Sequence, residues 1–157
     1  MDFQQRLEKA IERGQRTSDA ARQEKAKAAL SEEDLKRLHG NLRLPLTEHI
    51  ERCLRELPGH FPGFQFESVL DDRGWGTAVS RDDVGAGRRS LFSRLEMVIR
   101  PFSSYHVLEL TAKGTIRNKE LFNRSHYQRL TDADPESFHE MIDLWVLEYA
   151  ELFAARS

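Results

Sequence analysis

Three hydrophobic periods divide this chain. Behind Asp134-Pro135, the residues Phe138, Met141, Ile142, Trp145, Val146, Tyr149, Leu152 and Phe153 recur at intervals of one, three and four. That spacing gathers them on one side of a 3.6-residue helix, a stripe that needs another layer to cover it. From Phe61 to Arg129 the period is two. Phe64, Phe66 and Ser68 alternate with Gln65, Glu67 and Val69. Leu91, Ser93, Leu95, Met97 and Ile99 stand opposite Phe92, Arg94, Glu96, Val98 and Arg100. Five strands are predicted: one from Phe61, then Trp75 to Arg81, Leu91 to Arg100, Tyr105 to Arg117 and Leu121 to Arg129. Asp71-Asp72-Arg73-Gly74, the loop Asp82 to Arg89, Pro101 to Ser104 and Asn118-Lys119 separate them. Connections this short join antiparallel neighbours, so the sheet reads as a meander.

Helical periods precede the strands. Ser31-Glu32-Glu33-Asp34 offers a hydroxyl N-cap followed by acids that suit the positive end of a helix. Gly40-Asn41 is the expected stop of that short helix. A second helix is expected from Leu46 to Leu57, with Leu46, Ile50, Cys53, Leu54 and Leu57 inward, ended by Pro58-Gly59. Residues 1–30 read as a charged N-terminal helix or tail. Phe3, Leu7, Ala10 and Ile11 start a stripe that only Gly14, Thr17 and Ala21 continue, and no large apolar residue lies between Ile11 and Leu30. Propensity without burial seldom holds a helix in water. The organisation expected is therefore a charged segment, 1–30, and a single globular α+β domain, 31–157. In that domain helices precede an antiparallel sheet and a long C-terminal amphipathic helix packs on it.

Composition sharpens this picture in a few places. Thirteen of the 14 aromatic residues follow residue 60, which puts the core in the sheet and last helix. Net charge is −2 and the pI is near 6.3, which argues against a dedicated nucleic-acid binder. Residues 130–157 hold seven acids against Arg156 alone, whereas residues 60–129 hold 11 Lys/Arg against 8 Asp/Glu. The N-terminal residues lack the apolar core of a secretory signal, and no apolar run reaches membrane-spanning length. A lone Cys53 cannot form an internal disulfide. A soluble, cytoplasmic protein is the expectation.

Candidate chemistry is sparse. Arg117, Arg124 and His126 crowd the fifth strand with donors, which suits a phosphate, a carboxylate or an acidic partner, or cross-strand pairing to Glu109 or Glu96. Gly85-Ala86-Gly87-Arg88-Arg89 lacks the third glycine and the Gly-Lys-Ser/Thr of phosphate loops, and it leads into a strand. It reads as a hairpin loop whose Arg88 and Arg89 face any acidic partner. His49 and Cys53 stand four apart on one helix, a spacing two metal ligands can share, but no matching second pair follows, so no metal is assigned. The acid pairs Asp71-Asp72 and Asp82-Asp83 read as turn formers. No nucleophile elbow is present.

The arrangement of a curved sheet gripping a C-terminal helix resembles small ligand-binding folds of the START or Bet v 1 type. The resemblance implies a pocket between sheet and helix, with Trp145, Tyr149 and Phe122 as its candidate lining. Three functions are thus in play. The leading one is a non-enzymatic protein-interaction or assembly module that meets a protein partner, or itself, through the N-terminal helix. The others are a small-molecule binder and an anion or nucleic-acid binder using the fifth strand. No catalytic residue, cofactor or membrane partner is expected.

Overall fold

The structure is a computed structural model describing residues 2–156, with the backbone alone described for residues 27–30. It contains three α-helices, α1 (Phe3–Arg55), α2 (Leu57–His60) and α3 (Pro135–Arg156). Between α2 and α3 lie β1 (Gln65–Asp71), β2 (Gly74–Val84), β3 (Ser90–Ile99), β4 (Val107–Ile116) and β5 (Lys119–Arg129). The strands form one antiparallel sheet in the order β1-β2-β3-β4-β5. The fold is α+β, as the hydrophobic periods predict. Two compact units divide the chain, residues 1–37 and residues 38–157.

In the second unit the sheet and α3 make the core. Register aligns Thr77, Met97 and Ala112 across β2, β3 and β4, and likewise Val79, Leu95 and Gly114. On this face Leu95, Met97, Ile99, Leu108, Leu110 and Ile116 are buried, as are Phe138, Ile142, Trp145, Val146, Tyr149 and Phe153 of α3. Each large side chain so buried contributes about 1.5–3 kcal/mol. The entry to α3 is fastened from β5. Gln128 accepts from the Asp134 backbone N–H at 2.7 Å and donates to Ser137 Oγ at 2.7 Å. Asp134 Oδ1 accepts from the Glu136 N–H at 3.1 Å, and Pro135 opens the helix, where its missing N–H costs nothing.

Two expectations need correction. The helix boundaries differ: no helix starts at Ser31, Gly40-Asn41 does not stop one, no second helix begins at Leu46, and Pro58-Gly59 lies inside the short α2. α1 runs unbroken through Gly40 and Pro45 to Arg55. Burial on both sides of the proline explains this. His39 before it is buried and bonded to the Arg100 carbonyl at 3.0 Å, while Leu46, Ile50 and Leu54 after it are fully buried. Tertiary packing of this kind outweighs the few kcal/mol that a glycine and a proline withdraw. The second correction is in β2, which continues through Asp82 and Asp83 to Val84. Asp82 pairs Phe92 and Asp83 pairs Leu91, with Asp83 held by Arg81 at 2.8 Å and Asp82 accepting from Ser90 Oγ at 3.1 Å. The loop is thereby shortened to Gly85–Arg89. Among the described residues no helix is long and apolar enough to cross a membrane.

Candidate functional site

The donor-rich residues of the fifth strand do not converge. Arg117 lies in the β4–β5 turn at φ 48°, its backbone N–H donating to Ser93 Oγ at 3.0 Å. Neighbouring Asn118 ties that turn to β3, accepting from Phe92 N–H at 2.8 Å and donating to the Ser90 carbonyl at 2.7 Å. Arg124 reaches α3, where its two terminal nitrogens grip both oxygens of Glu148, the Nη2–Oε1 contact being 3.0 Å. That fork holds the Glu148 carboxyl below the usual carboxylate range. The guanidinium also stacks 4.7 Å from the Phe122 ring centroid. An occupied fork has little left for a ligand. His126 faces Phe138 edge-on at 4.8 Å. Arg88 and Arg89 are exposed at the β2–β3 loop, Arg88 at φ 60°.

Trp145, Tyr149 and Phe122 are buried. Phe122 lies on Gly114, where an added Cβ would come within 2.8 Å of its ring. Its ring meets Tyr149 edge-on at 6.5 Å, and Tyr149 donates its hydroxyl to the Thr115 carbonyl at 2.8 Å. Burial pushes the Tyr149 phenol well up. These contacts describe packed core.

On the opposite sheet face, Val69, Ala78 and Val98 form a small buried cluster. Arg73 bonds Asp71 at 2.9 Å and Glu96 at 3.0 Å, and Arg94 bonds Glu67 at 2.6 Å and Glu96 at 3.0 Å. Charges of both signs, mutually bonded across strands, stabilise a sheet rather than attract an ion.

Where the last turns of α1 meet α3, three metal-ligating side chains come together and a second histidine lies beside them. His49 and Cys53 stand one turn apart on α1, and His139 and Asp143 stand one turn apart on α3. Asp143 Oδ1 is 2.7 Å from His49 Nε2 and 3.4 Å from Cys53 Sγ, and Sγ is 3.5 Å from His49 Nε2. The His139 ring lies over His49 at 4.2 Å between centroids with a tilt of 37°. Burial, and then the bond to Asp143, push the Cys53 thiol up to about 11, so its S–H donates to the carboxylate. Burial, reinforced by the neighbouring His49, lowers His139. The matching second pair, missing from the sequence reading, is on α3. Its signal was the shared four-residue interval, and only the fold could bring two intervals 90 residues apart face to face.

In the first unit, every residue from Phe3 to Ala26 is exposed. Phe3, Leu7 and Ile11 are 77%, 47% and 52% accessible. Their four-residue spacing puts them on one side of α1. No protein-family model, no curated protein and no solved structure matches the chain.

Proposed function

We propose that this protein is a non-enzymatic assembly module that associates with a second copy of itself through the part of α1 that lies in residues 1–37. The observation that carries the reading is the uncovered stripe Phe3, Leu7 and Ile11 on a helix none of whose residues 3–26 is buried. Apolar groups of this size left in water favour association. The stripe continues through Gly14, Thr17 and Ala21, small residues that let two helix backbones approach closely. The charge suits self-pairing too, with nine Lys/Arg against eight Asp/Glu in residues 1–37. Near-balanced charge lets two copies lie side by side without net repulsion, while the stripe supplies the burial.

Sedimentation equilibrium over a range of concentrations tests the reading. The intact chain is expected to show a concentration-dependent dimer, and Leu7→Glu with Ile11→Glu to return it to monomer. A monomer at every concentration overturns self-association. Should that monomer instead retain a different protein through the same stripe, the assembly reading survives with another partner.

A further inference from the structure

We propose that His49, Cys53, Asp143 and His139 form a binding site for a divalent transition ion of the zinc class, clamping the last turns of α1 to α3. Two four-residue intervals on adjacent helices supply two ligands each. Three of the donor atoms, on His49, Cys53 and Asp143, lie within 4.8 Å of one another. Metal–ligand bonds of about 2.0–2.3 Å at tetrahedral angles place neighbouring donors about 3.3–3.6 Å apart. The two contacts of Cys53 Sγ, 3.4 and 3.5 Å, fall in that range. Among these three donors only the His49–Asp143 separation of 2.7 Å has to open, by about half an ångström. His139, one turn before Asp143, lies against His49 with its ring tilted by 37°, and it becomes the fourth ligand when that ring turns a nitrogen towards the other three.

The donor set selects the ion. A thiolate and two imidazoles favour zinc-like ions over magnesium or calcium, which prefer oxygen, and four protein ligands make a closed, structural site. Exposure fits as well: the His49 side chain is 17% accessible and that of Asp143 is 51%, so the ion has a path in from solvent. Arg52 is the cation nearest the site, its Nη2 3.5 Å from His49 Nδ1. Its exposed side chain can swing into solvent, leaving His49 Nε2 for the metal.

Cobalt(II) is the probe, because tetrahedral coordination and a cobalt–thiolate bond each give distinct absorption. The reduced full chain is titrated with Co²⁺, and Zn²⁺ is then added. One equivalent is expected to produce both tetrahedral ligand-field bands and a thiolate charge-transfer band, which Zn²⁺ abolishes. Cys53→Ser should lose the charge-transfer band, and His139→Ala and Asp143→Asn should each weaken binding. Circular dichroism of the metal-free variants checks that they are folded, and Asp143→Asn, at a half-exposed position, keeps the test open if another variant is not. Zn²⁺ should raise the melting temperature of the wild type and leave that of Cys53→Ser unchanged. Absence of the charge-transfer band, or its persistence in Cys53→Ser, overturns the site. Undiminished affinity in His139→Ala overturns the fourth ligand.

Discussion

His39 carries an unusual load for a polar residue. It is 3% exposed, hydrogen-bonded to the Arg100 carbonyl and set edge-on to Phe102 at 5.9 Å. Burial lowers its pKa, and the nearby Arg43 acts in the same direction. The imidazole is therefore neutral in the fold, with the Nε2 proton donated to the carbonyl. The unfolded chain binds a proton near the ordinary value of about 6.5, so below that pH it takes up protons the fold refuses. Stability accordingly falls as pH drops through about 6.5, the direction required when the unfolded state binds more protons. We expect His39→Gln, whose amide can still donate to the carbonyl, to lose less stability than the wild type between pH 7 and pH 5. Urea unfolding at the two pH values measures this. Equal losses in both proteins would place the titration elsewhere. Some slope should remain, because His139 is shifted the same way.

Elements differ in how openly the sequence announces them. β3 and α3 are legible because the main buried row of each follows its own period. Leu95, Met97 and Ile99 are fully buried at every second position, and Phe138, Ile142, Trp145 and Tyr149 are buried at helical intervals. Packing and period agree there. At residues 40–45 they conflict, since Gly40, Asn41 and Pro45 advertise a break while His39, Leu46 and Ile50 are all buried along one continuous helix. Local chemistry was readable and the tertiary anchor was not. The same holds for the proposed metal site. His49 and Cys53 show their interval in the sequence, but Asp143 and His139 sit among acids that read as a solvated face. Gly40 gives the element-scale prediction. Nothing lies within 4 Å of a Cβ added there, and its backbone is helical. Gly40→Ala should stabilise the protein by about 0.5–1 kcal/mol, because alanine loses less backbone entropy on entering a helix. Thermal or urea unfolding reads it. A lowered midpoint would mean that α1 needs the glycine's freedom next to Pro45.

Across the whole molecule, burial and exposure divide between the two units. Leu46 and every buried apolar residue after it lie in residues 38–157, whereas residues 3–26 are exposed throughout. A helix that buries nothing contributes little to folding, since propensity alone barely offsets the entropy of ordering it. On the proposed assembly, removal of the N-terminal segment should separate association from stability. A chain beginning at Ser31 keeps the His39 anchor and the buried face of α1. It should unfold cooperatively, within a few degrees of the intact chain, when both are measured dilute enough to be monomeric. Concentration decides the rest of the comparison. Association of folded copies stabilises by mass action, so the intact chain's transition should climb with protein concentration and the shortened chain's should stay fixed. A shortened chain that melts far lower even when dilute would make residues 1–30 part of the fold. Parallel behaviour of both chains at all concentrations would leave the helix with neither role.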